Sequence, residues 1–298
     1  DDTHTYARIE SIDPTAMHNA IKEGKIVIVA GFQGINKNGS VTTLGRGGSD
    51  LSAVALAGAL QADQCEIYSD VDGIYTTDPR IEPNAKKLDR ISYDEMLELS
   101  SLGAKVLQNR SVELAKKLNV KLYAKSSFSD NEGTLIAKES NNMEAVLVSG
   151  IVLDKNQARV TLRGVADRPG IAAEIFTKLA EANINVDMII QNMGTDGSTN
   201  LGFTVPHSDH ENAKNVMTSF DHEMEGMDFD EHVCKVSVVG VGMKSHSGVA
   251  ATAFTVMAKN NINIQMISTS EIKVSMIIDE EYGELAIRTL HEAYELDK

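Results

Sequence analysis

A glycine-rich loop with an arginine inside it is the stretch of this chain best suited to chemistry. Residues 41–50 read VTTLGRGGSD and lead directly into a predicted helix. Glycines let backbone N–H groups face a ligand, and a helix N-terminus adds partial positive charge. Arginine can grip a carboxylate or phosphate through two parallel hydrogen bonds. The loop is therefore predicted to bind an anion through Gly45, Arg46, Gly47, Gly48, Ser49 and Asp50.

Two familiar glycine motifs do not fit this loop. A phosphate-binding P-loop requires lysine after its last glycine, where this chain has Ser49. A dinucleotide-binding fingerprint requires a third glycine where Asp50 stands. The alternative to an anion site is a flexible connection between strand and helix, capped by Ser49 or Asp50.

The elements around the loop predict an α/β layer. The run KIVIVA, residues 25–30, is apolar on both faces and predicts a buried parallel strand, and residues 65–70 predict another. Ligands in such sheets bind beyond the carboxyl ends of strands, so the loops at 43–50 and 69–80 are expected to share one crevice. Helices are predicted at 14–24, 51–63, 92–102 (with a capping box of Ser92 and Glu95) and 104–118, and a further strand at 120–125.

Composition excludes several classes of partner. The 298 residues are 42% hydrophobic with a formal net charge of −15, which argues against nucleic acid and requires a local cationic cluster for a polyanion such as ATP. Cys65 and Cys234 lack metal or redox spacing and are interpreted as structural thiols. The eight histidines, including His207 and His210, form no metal pattern. No signal peptide or long apolar run is visible, so a cytoplasmic location without membrane contact is expected.

The second half of the chain repeats itself. GIAAEIFTKLAEANINVDMII begins at Gly170, and GVAATAFTVMAKNNINIQMIS begins 78 residues later at Gly248. Each copy predicts the order βαββα of a ferredoxin-like unit. The second copy lacks its last strand, and residues 146–153 predict a strand without a sheet, so the first copy is predicted to be inserted within the second. The predicted domains are 1–140, then 157–231, then 144–156 together with 232–298.

These motifs together resemble the aspartate kinases, which phosphorylate the side-chain carboxylate of L-aspartate at the start of lysine, threonine and methionine biosynthesis. The resemblance rests on TTLGRGGSD, YSDVDGIYTTDPR, GAKVL around Lys105 and the tandem repeat, and it covers nearly the whole chain. It implies an α/β fold, with part of a doubly wound amino acid kinase domain followed by two ferredoxin-like α+β domains of the ACT type. It also implies ATP and Mg²⁺ as cofactors.

One departure from the family leaves a rival function open. The Lys-Phe-Gly-Gly-Thr type motif that opens the kinase domain of the family is absent, so the chain is expected to start inside that domain and to be incomplete for catalysis alone. The rival to an enzyme is a regulatory fragment or subunit that binds lysine or threonine and dimerises without catalysis.

The resemblance assigns roles to matching positions in the first half. Arg46 would hold the aspartate carboxylate, and Asp50 would organise the transfer site. The remaining catalytic positions are Gly47, Gly48 and Ser49, and the nucleotide-binding positions are Ser69, Asp70, Tyr75, Arg80 and Lys105. No resident metal ligand is assigned. Simpler alternatives are a strand-end turn for Asp70, loop packing for Tyr75 and a solvated helix position for Lys105.

In the second half, the resemblance implies an effector site between ACT units, often across a dimer interface. Asp167 would bind the ammonium group of lysine or threonine, and Gln191 its side chain. The other predicted effector contacts are Gly170, Ile171, Ala172, Asn263 and Ile264. A plain helix cap for Asp167 and a strand-edge position for Asn263 are the alternatives. A homo-oligomer through the ACT domains, or an assembly with a longer chain, is expected.

Overall fold

The computed structural model describes residues 1–102, 106–139, 147–193, 198–244 and 248–298. These residues form two compact units, each described by itself below. Unit one comprises Asp1–Gly150, Val239–Gly242 and Glu295–Lys298, and unit two comprises Ile151–Val238 and Met243–Tyr294. None of the helices in the described ranges has the length and apolar character needed to cross a bilayer.

Unit one is an α/β unit, as the sequence predicts, but several of its strands and helices follow one another in pairs and do not alternate strictly. Its described helices are α1 (Thr15–Lys22), α2 (Gly48–Leu60), α3 (Tyr93–Ser101) and α4 (Asn109–Leu118). Its described strands are β1 (Gln33–Ile35), β2 (Val41–Thr43), β3 (Cys65–Ser69), β4 (Arg90–Ser92), β5 (Leu122–Ser126) and β6 (Thr134–Ala137). The capping box is present, since the Glu95 amide donates to the Ser92 hydroxyl and the Glu95 carboxylate accepts from the Ser92 amide. The predicted start of α3 is therefore confirmed.

The sheet of unit one follows the order β3-β5-β6-β4. Strand β3 runs parallel to β5, and β6 runs antiparallel to β5 but parallel to β4. Strands β1 and β2 form a separate antiparallel hairpin. Helix α2 packs against α4, and Val54, Met96, Val112, Leu122 and Ile136 are fully buried in the core. The carboxyl end of β3 leads into residues 69–80, and the end of β2 leads into the glycine-rich loop.

The predicted strand at residues 25–30 is wrong. This segment belongs to no strand in the described residues, and Ile26 and Ile28 are both 94% exposed. A continuous apolar run indicates a buried strand only where a neighbouring strand and covering layers meet it, and the four-stranded sheet forms without this segment. The glycine-rich loop therefore follows a short hairpin strand instead. The helix predicted from residue 104 begins at Asn109, with residues 103–105 outside the described ranges.

Unit two is built from strands and helices of the two repeats, and only the strand-end residues Gly150 and Val239 fall in unit one. Its described strands are β7 (Gly150–Ala166), β8 (Ile189–Met193), β9 (Ser198–Val205), β10 (Gly226–Val239), β11 (Met266–Thr269) and β12 (Lys273–Asp279). Its described helices are α5 (Ile171–Glu181), α6 (His210–Met217), α7 (Val249–Lys259) and α8 (Gly283–Ala293). The strand predicted at 146–153 begins at Gly150, and Val146 lies outside the described residues.

The sheet of unit two follows the order β11-β12-β10-β7-β9-β8. The central strands are long, with 17 residues in β7 and 14 in β10. The neighbours β10-β7-β9-β8 have the strand order of one ferredoxin-like unit, and β7-β10-β12-β11 have the same order for a second. Val160, Ile175 and Phe203 belong to the core of the first repeat. A smaller apolar cluster joins strands of both repeats through Met188, Val233, Met266 and Ile277.

The two cysteines are free and buried. Burial raises the pKa of the Cys65 thiol to about 11 and that of Cys234 to about 12. A thiol rather than a thiolate is therefore present near neutral pH, and thiols are poor nucleophiles and metal ligands. This fits the interpretation of both residues as structural thiols.

Candidate functional site

The Arg46 loop, defined as residues 45–50, turns sharply from β2 into α2. Gly45 and Gly47 have φ angles of +91° and +74°, a region that L-residues with side chains rarely adopt. A Cβ atom on Gly45 would lie 2.5 Å from the carbonyl oxygen of Thr5. The Gly48 amide donates to the Gly45 carbonyl, which closes the turn at 2.9 Å. Both glycines are thus required by backbone geometry.

The first turn of α2 is fixed from inside the unit. Gly48 is buried, and a Cβ atom there would lie 2.8 Å from the Cβ of Leu44. The Ser52 hydroxyl donates to the Gly48 carbonyl and accepts from the Phe32 amide. No side chain in the described residues caps the helix start at Gly47. The N-terminus of α2 therefore offers its partial positive charge to a ligand.

Arg46 and Asp50 lie on this loop in different environments. Arg46 is exposed, as is Ser49, whereas Asp50 is half-buried. Burial raises the pKa of the Asp50 carboxyl, although a hydrogen bond from the Gln108 amide at 3.4 Å opposes that shift. The loop thus presents a solvent-accessible guanidinium beside a carboxylate that is partly withdrawn from water.

Two residues of the α4 region hold this loop, and the sequence analysis did not identify either. The Gln108 side-chain amide donates to the Arg46 carbonyl at 2.9 Å. The Arg110 guanidinium donates to the carbonyls of Leu44 and Ala7, both at 2.8 Å. The only signal in the sequence is their position directly after GAKVL, because side-chain contacts with a distant backbone leave no local pattern.

The Tyr75 loop, defined as residues 69–80, follows β3. The Tyr75 hydroxyl donates to Asp72 at 2.9 Å, and burial together with this bond raises the pKa of Tyr75. Ser69 accepts from the Val71 amide at 3.3 Å, and Asp70 is exposed. The sequence alternative for Tyr75, packing within the loop, is consistent with this contact.

Arg80 is occupied by a neighbour in the same loop. Its guanidinium forms hydrogen bonds to both carboxylate oxygens of Asp78, at 3.0 and 2.6 Å. Its side chain is 88% exposed. The pair lowers the pKa of Asp78 and raises that of Arg80. A nucleotide phosphate would have to compete with Asp78 for this guanidinium.

The Arg46 loop and the Tyr75 loop each make their own contacts. Among the described residues, Gln108 binds the first loop and Arg110 binds the preceding Leu44. The second loop is bound by Thr134 at Ile74 and by Lys86 at Thr76, and none of these hydrogen bonds joins the two loops. Lys105 lies outside the described residues. A cavity of about 560 Å³ in unit one is lined by Thr42, Leu44 and Ser52, which flank the Arg46 loop in the chain, and none of the predicted catalytic residues lines it. The shared crevice therefore stays a prediction.

In unit two, the Arg168 loop, defined as residues 166–170, connects β7 to α5. Gly170 has φ +101° and begins the helix without a side-chain cap, and Ile171 is buried in the core of the first repeat. Arg168 forms a bidentate pair with Glu174, both bonds at 2.8 Å, and also binds Glu223. These carboxylates raise the pKa of Arg168, and Arg168 lowers the pKa of Glu174.

Of the remaining predicted effector residues, Asp167 follows the central strand β7 and Ala172 lies on α5, whereas Gln191, Asn263 and Ile264 lie on or next to edge strands. Asp167 and Gln191 are exposed, Ala172 is partly exposed, and Gln191 lies on the edge strand β8. Asn263 is exposed and Ile264 is half-buried, just before the other edge strand, β11. Within the described ranges, no group of three or more histidine, cysteine or acidic side chains is arranged to hold a metal ion.

A glycine-rich loop on an α/β unit and two ferredoxin-like repeats in one sheet are the features that the sequence analysis expects of an amino acid kinase with a regulatory module. The family model for the amino acid kinase family matches residues 2–126, and the model for the ACT domain matches 160–219 and 236–294. Aspartokinase of Helicobacter pylori (strain ATCC 700392 / 26695) is 62% identical over 296 residues, which are 98% of this chain and 73% of that protein. The chain belongs to the aspartate kinase family.

Similar solved structures support this family assignment. Escherichia coli aspartokinase III in complex with aspartate and ADP, an R-state, matches 98% of this chain with TM-score 0.77 and 29% identity. The same enzyme in complex with lysine and aspartate, a T-state, matches 94% with TM-score 0.76 and 30% identity. The chain spans 67% and 62% of the lengths of those two chains. The predicted family, fold class and enzyme class are confirmed.

Proposed function

We propose that this protein transfers the γ-phosphoryl group of ATP to the side-chain carboxylate of L-aspartate, forming 4-phospho-aspartate. The observation that carries this proposal is the Arg46 loop, where an exposed arginine directly precedes a helix N-terminus that no described side chain caps. Two structures of one family relative, E. coli aspartokinase III, in complex with aspartate and ADP and with lysine and aspartate, support the choice of substrate and nucleotide.

The chemistry explains why charge and backbone amides suffice. An aspartate side chain has a reference pKa of about 3.9, so the nucleophile is already ionised at neutral pH and no general base is needed. The enzyme must bring two anions together and stabilise the charge that spreads over the transferring phosphoryl oxygens. Arg46 would bind the aspartate carboxylate, and the amides of Gly47, Gly48 and Ser49 would face the developing charge.

Asp50 and the Tyr75 loop would serve the nucleotide side of the reaction. Mg²⁺ typically reaches such sites on the phosphates of ATP with several waters and only one or two protein carboxylates, so this donor set does not need a dedicated cluster. Asp50 would organise the transfer site, and no residue of the chain is assigned as a metal ligand. Ser69, Asp70, Tyr75 and Arg80 would line the adenosine-phosphate pocket, and Lys105 would reach the phosphates.

The second half would sense an amino acid. We propose that the first repeat is inserted in the second, with domains at 157–231 and at 144–156 plus 232–298, an arrangement supported by the sheet order in unit two. The Arg168 loop, with Asp167 and the amides of Gly170, Ile171 and Ala172, would bind an effector with Gln191, Asn263 and Ile264. Lysine or threonine would favour one of two arrangements in a homo-oligomer and thereby reduce activity. The cytoplasmic location expected from the sequence stays a prediction.

One experiment separates the enzyme from its rival, a regulatory subunit without catalysis. Aspartyl phosphate formation is trapped as the hydroxamate with ATP, Mg²⁺ and aspartate, and heats of binding are measured for ATP, lysine and threonine. We expect turnover that lysine or threonine reduces. Binding of lysine or threonine without ATP binding or turnover would favour the regulatory subunit.

A further inference from the structure

We propose that Gln108 is a positioning residue that holds the Arg46 loop in its ligand-binding shape. The inference rests on the proposed function only for its kinetic consequence. Gln108 meets the loop at three points: its side-chain amide donates to the Arg46 carbonyl at 2.9 Å, its backbone amide donates to Asp50 at 3.4 Å, and its Cβ lies 3.1 Å from the position of a Cβ on Gly47. One residue thus contacts three of the five predicted catalytic positions, Arg46, Gly47 and Asp50.

The backbone of Gln108 is itself firmly placed. It occupies the N-cap position of α4 with extended φ and ψ angles of −73° and 132°. Its carbonyl accepts from the Ser111 and Val112 amides and from the Ser111 hydroxyl at 2.6 Å. Val112 and Ala115 of α4 are fully buried. The contacts of Gln108 therefore tie the loop to the rigid core of unit one.

The side chain of Gln108 binds the Arg46 loop and does not cap its own helix. Serine, threonine, aspartate and asparagine at an N-cap commonly accept from their own helix, whereas Gln108 at this position makes no such bond. Its Nε2 atom is committed to the Arg46 carbonyl, and in the described residues its Oε1 atom is buried without a partner. A side-chain donor to the carbonyl of Arg46 restrains the peptide that carries the Arg46 guanidinium.

Gly47 makes this close approach possible. Its φ of +74° and its missing side chain allow the loop to lie directly against the Gln108 methylenes. A shift of about 1 Å in a group that positions a substrate can cost about 100-fold in rate. Loss of the Gln108 side chain would free the loop on one side while Arg110 still holds Leu44 on the other.

The test compares Gln108→Ala and Gln108→Glu with Gln64→Ala in the full chain. Gln64 is an exposed glutamine of unit one that donates to Glu66 and serves as the matched control. Hydrogen exchange of the amides of residues 45–50 is measured by mass spectrometry, with kcat and KM for aspartate. We expect loop exchange to be about 10-fold faster in Gln108→Ala, with kcat/KM lower by about 10- to 100-fold and an unchanged exchange pattern in α4.

Gln108→Glu provides a signature that a general loss of structure would not produce. An ionised glutamate cannot donate to the Arg46 carbonyl, but a protonated one can, and the reference pKa of glutamate is about 4.3. Loop exchange in this variant, as a ratio to wild type, should fall toward one as the pH is lowered from 8 to 4. A pH-independent ratio, or loop exchange in Gln108→Ala equal to that of Gln64→Ala, would overturn the proposal. Absence of turnover in wild type would refute the proposed function alone, because the exchange result decides the role of Gln108.

Discussion

The Arg46 loop and the Arg168 loop begin helices in the same way but are held differently. Each places a glycine with positive φ at the helix start and an arginine nearby. Around Gly45 and Gly48, a Cβ atom would collide with surrounding atoms at 2.5 and 2.8 Å. Around Gly170, the nearest atom would be 3.8 Å away. The first loop is enclosed by its unit, and the second is open.

The two arginines differ in which part is bound, the loop backbone around Arg46 or the guanidinium of Arg168. Distant residues bind the backbone of the Arg46 loop, which leaves the guanidinium of Arg46 exposed to solvent. In the other loop the guanidinium itself is bound by Glu174 and Glu223. A site for chemistry benefits from a fixed backbone and an available charge, since preorganised groups need not rearrange during the reaction. At a sensing site, a bound ligand can replace ion pairs that the protein forms with itself.

The largest expected effect is the loss of Arg46. Arg46→Ala should lower kcat/KM for aspartate by at least about 100-fold, because a charge-assisted bidentate contact at the reacting carboxylate is removed. Steady-state kinetics with varied aspartate measures this. Arg288→Ala, on α8 of unit two, is the control and should keep kcat/KM within about twofold. Near-normal kinetics in Arg46→Ala would refute the assignment of Arg46.

The enclosure of the first loop predicts unequal costs for two glycine substitutions. Gly45→Ala adds a collision to an unfavourable φ angle and should destabilise the protein by about 3 kcal/mol. Gly170→Ala meets only the unfavourable φ angle and should cost about 1 kcal/mol. Denaturant unfolding followed by probes in each unit measures both. Equal costs at the two positions would mean that the loops do not differ in packing.

The smallest expected effects are on the pH dependence of folding stability, to which the carboxylates of Asp50 and Glu174 contribute with opposite sign. The raised pKa of Asp50 means that the folded state binds its proton more tightly, so this group makes stability fall as pH rises from its ordinary pKa to the raised one. The lowered pKa of Glu174 means that its contribution is present at neutral pH and lost as pH falls through the lowered pKa.

Asp50→Asn and Glu174→Gln test this difference. Asp50→Asn should weaken the fall in stability that accompanies rising pH in the wild type. The denaturation midpoint of this variant at pH 7, relative to its midpoint at pH 4, should therefore be higher than in the wild type. Glu174→Gln should remove the second trend and lower the midpoint at pH 7. Denaturation midpoints are measured for the wild type and both variants between pH 3 and 8. If the two substitutions change the pH dependence of the midpoint in the same direction, the prediction is contradicted.

Local patterns in the sequence predict the elements whose determinants are local. The capping box of Ser92 and Glu95 marks the start of α3, and the 78-residue repeat marks the two ferredoxin-like halves of unit two. The Arg46 loop lies before α2 as expected, because its glycines and the small residues after them mark the start of the helix within the local sequence.

Features that depend on distant partners were not predictable. Residues 25–30 carry a strand pattern, yet Ile26 and Ile28 are exposed because no neighbouring strand pairs with them in the described residues. Gln108 and Arg110 bind backbone carbonyls more than 60 positions away, and such contacts do not constrain residue type within any window. The pairing of Arg80 with Asp78 is local, but its competition with a phosphate appears only in three dimensions.

The two long central strands of unit two have a consequence for cutting and joining the chain. Strands β7 and β10 are neighbours in the sheet, and the segments from α5 to α6 lie between them in the sequence. Trimming either terminus cannot delete the first repeat alone. An internal excision that reconnects the early part of β7 to the late part of β10 could do so. A single protease nick between α5 and α6 would leave two pieces still bound through the backbone ladder of β7 and β10.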